Sequence, residues 1–151
     1  MKNTIFILLP IILCIGCAAK VPLAPSTLDM AAKDFIPVPD RSNIYVFRED
    51  GDEGQTILFQ VFLDGRLMGG IAVGTFLLTE TPPGNHAIST FSKENQDSVY
   101  LKVEEGKNYF LEIEGKLGIS TFRVTIKQVE EKVGRQGVIA CKRAEGRKLF
   151  P

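Results

Sequence analysis

Alternation of apolar and polar residues in the second half of the chain predicts β-strands. Val99, Leu101 and Val103 alternate with residues of more polar character, which is the period of two that a half-buried strand shows. The same period recurs at 109–114 and 122–127. Runs rich in β-branched and aromatic residues predict further strands at 43–49, 57–63, 66–73, 75–80 and 85–91. The run at 57–63 is apolar on both of its faces.

Turn residues separate these strands. Asp64 and Gly65 readily adopt positive φ, as a tight hairpin turn requires. A glycine pair at 69–70, inside the returning strand, predicts a bulge or a close backbone approach. A proline followed by Gly84 fits a type II turn, with the glycine at the position of positive φ.

The end of the chain changes to helical spacing. Apolar residues between 128 and 142 recur at helical intervals, with acidic residues first and basic residues last, an order that suits the helix dipole. Gly134 and Gly137 each lower the expected stability of this helix by about 1 kcal/mol. The elements together predict an all-β fold, an antiparallel β-sandwich of about seven or eight short strands with a short C-terminal helix.

The N-terminus has the pattern of an export signal. Lys2 precedes an apolar run, 5–15, that only Pro10 interrupts, and small residues follow it. The alternative is an uncleaved membrane anchor, but a spanning helix needs about 20 apolar residues and this run is shorter. We therefore expect residues 1–16 to be a signal peptide.

The sequence Leu13-Cys14-Ile15-Gly16-Cys17 resembles the lipobox of bacterial lipoproteins. In that pattern the signal is cut before the last cysteine, whose thiol carries a diacylglyceryl group. The resemblance implies that Cys17 is the lipidation site and that acyl chains, palmitate among them, hold the protein on a membrane of the cell envelope. Stable anchoring of this kind requires more than one acyl chain.

The segment that follows predicts a spacer. Residues 17–42 contain four prolines, which oppose continuous helix and stiffen a linker. We expect this lipidated, proline-rich segment to be a tether and residues 43–151 to form the β-sandwich domain. In a host with two membranes, family sorting rules imply the outer membrane, facing the periplasm, because Ala18 is not the aspartate that retains lipoproteins at the inner membrane.

Composition narrows the classes of function. Eighteen basic and 18 acidic residues give a net charge of zero, so no basic field is present to hold nucleic acid. Of the three cysteines, Cys14 lies in the signal and Cys17 is the lipidation site. Cys141 is therefore expected to be a buried thiol without a disulfide partner.

The residues available for catalysis are few. His86 is the only histidine, and no G-x-S-x-G sequence is present. One histidine and one free cysteine do not make up a usual zinc site, and no glycine-rich phosphate loop is present. We expect no catalytic residue, no metal and no cofactor, and a structural role for His86. The sequence favours a non-enzymatic protein.

Arg48 ends the apolar first strand, so it is either a buried arginine paired with Asp64 or a glutamate, or the floor of a ligand groove. We expect the first strand and the Asp64-Gly65 hairpin to contact a partner protein of the envelope, through the candidate residues Tyr45, Arg48, Asp64 and Arg66. The alternative is a carbohydrate- or peptidoglycan-binding module, in which cell-wall glycan stacks on exposed aromatic residues. The candidates for that stacking are Tyr45, Tyr100 and Tyr109.

Four segments of the domain, RSNIYVFRE, VFLDGRLMGGI, LTETPPGNHAIS and VEEGKNYFLEI, carry a resemblance to one bacterial family. They are similar to the lipoproteins grouped as domain of unknown function 2846 (DUF2846), over about residues 40–142. The central part is also similar to PEGA-type surface modules, which share the Asp-Gly and Pro-Gly-x-His turns. The resemblance implies an envelope lipoprotein with no catalytic residues to carry over.

Overall fold

The computed structural model describes residues 19–150. This part of the chain contains nine strands, which form two packed sheets, and two helices. The helices are α1 (Ser26–Ala32) and α2 (Glu131–Ala140). The strands are β1 (Ser42–Arg48), β2 (Phe59–Leu63), β3 (Arg66–Ile71), β4 (Thr75–Thr81), β5 (Gly84–Phe91), β6 (Gln96–Val103), β7 (Asn108–Leu117), β8 (Phe122–Val129) and β9 (Lys142–Arg143). No helix of residues 19–150 has the length and apolar character needed to cross a membrane.

The predicted all-β sandwich is confirmed. One sheet has five strands in the order β8-β7-β1-β4-β9, and the other has four in the order β3-β2-β5-β6. Most neighbouring strands are antiparallel, as predicted, but β1 runs parallel to β7 and β4 runs parallel to β9. Strand β7 reaches the side of β1 after the chain has passed through β5 and β6 of the four-stranded sheet, and β9 reaches the side of β4 after helix α2.

The main core lies between the two sheets and follows the period of two. In β2, Phe59, Val61 and Leu63 are buried, while Gln60 and Phe62 point to the opposite face and are half-buried. Strand β1 departs from this rule, because all seven of its residues are buried. It is an inner strand of the five-stranded sheet, and both faces of that sheet are covered.

A second core covers the outer face of the five-stranded sheet. It consists of the buried residues Ala32, Phe35, Tyr45, Phe47, Phe76, Phe110, Val138 and Cys141. Helix α2 packs on β1 and β7, and its glycines lie at the contact. A Cβ atom on Gly134 would be 2.2 Å from Cβ of Phe110, and one on Gly137 would be 2.2 Å from Cε2 of Phe47. The helix is shorter than predicted, and its glycines permit the close approach.

The N-terminal segment packs on the domain, so the prediction that residues 17–42 form a tether is wrong for the described part of that segment. Ala32 and Phe35 are buried in the second core, and the amide of Ala24 donates to the carbonyl of Arg143 over 3.0 Å. The prolines limit hydrogen bonding within the segment but leave its apolar side chains free to pack. Pro25 immediately precedes α1, a position that proline tolerates because no amide is needed there.

The predicted turns are confirmed in part. Asp64 and Gly65 have φ of 50° and 75° in a two-residue hairpin turn, and the register of β2 and β3 shifts beside Gly69, where the bulge was predicted. Gly84 has positive φ, as predicted, but its value of 148° is far from the value of about +80° in a type II turn, so the predicted turn type is wrong. Strands β4 and β5 belong to different sheets, so Gly84 lies at a corner between the sheets.

Side chains close the open side of the sandwich between β6 and β8. Asn95 exchanges two hydrogen bonds with the backbone of Val124, and Asp97 accepts the amide of Ile126 over 2.9 Å. Glu94 accepts three further amides, those of Ile119, Ser120 and Thr121, at 3.1, 2.6 and 2.7 Å. These acceptors satisfy backbone groups that an edge strand would otherwise expose to pairing with another chain.

The C-terminal tail closes the other side. The amide of Ala144 donates to Phe76 in β4, and the amide of Arg147 donates to Met68 in β3, over 2.8 and 2.7 Å. The tail therefore bridges β4 of the five-stranded sheet and β3, an edge strand of the four-stranded sheet. Both lateral gaps of the sandwich are spanned, one by side chains and the other by backbone.

We expect the contribution of Glu94 to stability to disappear in acid. The three amide donors hold the pKa of Glu94 at about 2, below its ordinary value of 4.5. A lowered folded-state pKa means that the contribution is complete above pH 4.5 and is lost as the pH falls towards 2. Glu94→Gln should lower the melting temperature at pH 7, and the difference from the wild type should shrink between pH 4.5 and 2. A constant difference across that range would contradict the assignment.

Candidate functional site

The sequence-predicted contact residues divide into two buried and two accessible side chains. Tyr45 is fully buried in β1, and its ring stacks on Phe110 at 5.1 Å between centroids. Its hydroxyl donates to the carbonyl of Ala32 over 2.8 Å. Burial raises the pKa of Tyr45 to about 12. Tyr45 is part of the second core, so its prediction as a surface contact or as a glycan platform is wrong.

Arg48 is also fully buried, so its prediction as a surface contact is wrong as well. Its Nε donates to Oδ2 of Asp52 over 2.7 Å. The other nitrogens donate to three backbone carbonyls of the β1–β2 loop, those of Glu53, Gly54 and Ile57. The partner is Asp52, four residues along the chain, and not Asp64. The guanidinium also lies 4.6 Å from the centre of the Phe59 ring. Arg48 therefore holds the loop that joins the two sheets.

Asp64 and Arg66 lie near each other at the β2–β3 hairpin. Asp64 accepts from Nδ1 of His86 over 2.7 Å and from the amide of Ala87 over 2.8 Å. Arg66 is exposed and lies 5.5 Å from the centre of the Phe150 ring, which also contacts the His86 ring edge to face. These contacts join the hairpin, the corner between the sheets and the C-terminal tail.

His86 has neighbours like those in a catalytic triad, but a substrate could not reach the buried hydroxyl beside it. Its Nδ1 faces Asp64, and its Nε2 lies 3.2 Å from Oγ1 of Thr81. Thr81 is fully buried, however, and the same Nε2 lies 2.9 Å from the carbonyl of Pro82. A nucleophile must reach the substrate carbonyl and its base must be able to take the proton. This geometry fixes the corner of the sandwich, in agreement with the structural role expected for His86.

Cys141 is buried, as the sequence predicts. Its thiol donates to the carbonyl of Arg48 at 3.4 Å. Burial raises the pKa of Cys141 to about 12, so the thiol is not ionised near neutral pH, and the thiolate is the form that reacts.

The most accessible aromatic surface is the outer face of the four-stranded sheet. Both helices pack on the other sheet, and the register places one side chain in two of each strand on this outer face. We call it the open face. Its members are Gln60, Phe62, Leu67, Gly70, Asn85, Ala87, Ser89, Phe91, Gln96, Ser98, Tyr100 and Lys102, and the side chain of Leu58 lies beside Gly70.

Three aromatic side chains lie on the open face. The rings of Phe62 and Phe91 stack with centroids 5.5 Å apart. Tyr100 is 83% exposed, and the small Ala87 lies opposite it on β5. Phe91 is 48% exposed. Tyr109, the remaining glycan candidate, is half-buried, and its hydroxyl accepts the amide of Glu104 over 2.8 Å.

One residue of β2 indicates from the sequence that the open face makes contacts. An apolar residue on the polar phase of a half-buried strand indicates that both faces make contacts. Phe62 is such a residue. Periodicity alone does not tell whether the second face meets a helix of the same chain, as at β1, or remains accessible, as here.

The fold defines the class, an all-β sandwich closed on both sides. The family model described as "Protein of unknown function (DUF2846)" matches residues 39–125, and the chain belongs to this family. An uncharacterised protein of Haemophilus influenzae is 29% identical over 127 residues, which is 83% of this chain and 75% of that relative. No solved structure shows significant similarity to the chain. The family match contains β1–β7 and part of β8 but ends before α2.

Proposed function

We propose that the protein is a lipid-anchored interaction module of the bacterial cell envelope, without enzymatic activity, whose partner is another envelope protein. The anchor is Cys17, which lies outside the described residues. The support for it is the sequence pattern of residues 1–18: a basic start, an apolar run and Gly16 before Cys17.

One observation carries the proposed contact surface. The two sheets have unlike outer faces, because two helices cover the five-stranded sheet whereas the open face exposes Phe91 and Tyr100. Aromatic residues are enriched at protein interfaces, where they add contact area at little cost in entropy. The open face replaces Tyr45 and Arg48 as the predicted surface. Asp64 and Arg66 border it at the β2–β3 hairpin.

Crosslinking in intact cells tests the contact surface. A photoreactive amino acid at Tyr100 should capture one envelope protein reproducibly, because its side chain projects from the open face. The control position is Lys132, which is exposed on α2 over the other sheet. Phe91→Ser should reduce the yield at Tyr100 while the fold remains intact. The same capture from both positions, or none from Tyr100, would contradict the open face as the contact surface.

The second candidate function is binding of cell-wall glycan. Tyr100 is the observation that favours it, because an exposed ring beside Ser98 and Ser89 offers a stacking surface with hydroxyl groups nearby. Sedimentation with purified peptidoglycan distinguishes the two functions. Binding that Tyr100→Ala abolishes would favour the glycan, and its absence together with a specific protein crosslink would favour the protein partner.

The Cys17→Ser variant tests the proposed lipidation. Cys17→Ser removes the thiol that would carry the diacylglyceryl group. We expect the variant to lose incorporation of labelled fatty acid and to leave the membrane fraction or accumulate uncut. Cys141→Ser is the matched control, because Cys141 is buried and should not be labelled. Undiminished labelling of Cys17→Ser would contradict the anchor.

A further inference from the structure

Three loops meet at one end of the sandwich, and we call this the loop end. They are residues 49–58 between β1 and β2, residues 92–95 between β5 and β6, and residues 118–121 between β7 and β8. The carboxylate of Glu53 accepts the amide of Leu117 over 2.8 Å. Glu94, in the second loop, accepts amides of the third. The first loop is therefore bonded to the end of β7, where the third loop begins, and the second loop is bonded to the third.

Two highly exposed large apolar side chains of the domain are found here. Ile119 is 96% exposed and Leu117 is 73% exposed. They lie on either side of Gly118, whose amide donates to Thr121 over 2.7 Å. Ile119 therefore lies at the tip of a hydrogen-bonded loop. Its exposure shows that no side chain of residues 19–150 covers it.

The chain leaves the domain towards its N-terminus at the same end. The amide of Ala19 donates to the carbonyl of Gln55 over 2.9 Å, in the first of the three loops. Cys17 is two residues further on, and two residues of chain span at most about 7 Å. A group attached to Cys17 therefore starts close to the loop end, whichever direction those residues take.

We infer that the loop end is the membrane-facing end of the domain, and that Leu117 and Ile119 insert at the boundary between headgroups and acyl chains of the bilayer that holds the anchor. The inference rests on the proposed lipid anchor. Apolar side chains at the tip of a surface element enter this boundary because burial there removes them from water.

The electrostatics of the loop end permit this contact. Lys93 and Lys116 are exposed at its rim, and Lys116 lies 3.1 Å from the carboxylate of Glu114. The long side chain of Lys93 can reach headgroup phosphates. The carboxylate of Glu53 is turned to the amide of Leu117 at the end of β7, and that of Glu94 to backbone amides of the third loop. The exposed acidic residues Glu49 and Asp50 also lie at this end. The inference therefore rests on the apolar side chains at the tip and not on a net positive charge.

Hydrogen bonds fix the tip before it meets a membrane. Glu94 binds three successive amides of residues 119–121, and this arrangement holds the loop in one conformation. Contact with lipid then orders little additional chain, and ordering is the main entropic cost of such contacts. The open face runs along the side of the sandwich, so it stays accessible when the loop end meets the bilayer.

Quenching by brominated lipids tests this orientation. The chain contains no tryptophan, so a single one reports its own position. Full-length lipidated protein carrying Ile119→Trp is reconstituted in phosphatidylethanolamine–phosphatidylglycerol vesicles with brominated acyl chains. The matched control is Glu105→Trp, an exposed position in the connection between β6 and β7, at the opposite end of the sandwich. We expect blue-shifted, quenched emission from Trp at 119 and unquenched emission at 105.

The possible results distinguish failure of the proposed orientation from failure of the proposed lipid anchor. Protein that floats with the vesicles but shows no quenching at 119, or equal quenching at both positions, would overturn the orientation and leave the anchor in place. Failure to float would overturn both. A photoreactive residue at 119 that crosslinks to a protein in intact cells, with no lipid adduct, would assign the tip to a protein partner and overturn the inference.

Discussion

Gly137→Ala should destabilise the protein by about 2 kcal/mol, although alanine is the better helix former. Alanine gains up to about 1 kcal/mol in a helix interior. The added methyl group, however, would lie 2.2 Å from Cε2 of Phe47, and Phe47 is fully buried in the second core. Overpacking of this kind costs about 1–3 kcal/mol and occasionally more, so the steric term outweighs the propensity term.

Denaturant unfolding measures this effect. The control is Gln136→Ala, one residue earlier on the exposed side of α2, which should change the free energy of unfolding by less than about 0.5 kcal/mol. Gly134→Ala should resemble Gly137→Ala, since its methyl group would meet Phe110 at the same distance. A stabilised Gly137→Ala variant would show that the helix does not pack closely on β1.

Arg48→Met should cost about 3–5 kcal/mol, the range measured when one partner of a buried ion pair is removed. The substitution leaves Asp52 without its cation and removes the donors to three loop carbonyls. Methionine keeps much of the volume beside Phe59, so the loss is electrostatic rather than steric. The β1–β2 loop should also become more sensitive to proteolysis, because the guanidinium is the common donor that holds it.

Two further variants make this measurement specific. Arg123→Met removes an exposed arginine and should change stability by less than about 0.5 kcal/mol. Arg48→Lys keeps the charge but lacks the planar fork that reaches several acceptors at once, so its stability should lie between those of the wild type and Arg48→Met. An Arg48→Met protein with an unchanged melting temperature would contradict the structural role of the arginine.

Periodicity predicts the strands well because each sheet has one face in the main core. The errors arise where a second layer covers the other face. Tyr45 and Arg48 lie on a strand whose pattern is compatible with either an exposed or a covered outer face, and only the position of α2 decides between them. From the sequence, the glycines of α2 are only weak helix formers, because their packing role depends on the position of the helix against Phe47 and Phe110.

The N-terminal segment illustrates a second limit. Its prolines predict a spacer, but proline limits backbone hydrogen bonding and does not prevent side chains from packing. Phe35, between two such prolines and α1, is a core residue. The acceptors at the start of β6 are equally hard to predict, because Asn95, just before the strand, and Asp97, within it, are ordinary polar residues until β8 of the other sheet is placed beside them.

The pairing of the first and last described segments has a consequence for the timing of folding. Leu23 forms a β-bridge with Ala144, and the tail beyond it spans the gap between β3 and β4. Contacts between residues so far apart in sequence form late, because the loop between them must be closed first. A chain that emerges N-terminus first, from a ribosome or through a translocation pore, therefore holds an unfinished sandwich until its final residues are free. During that interval the gap between β3 and β4, which the tail later covers, is exposed. A chaperone that protects the nascent protein would need to shield this gap.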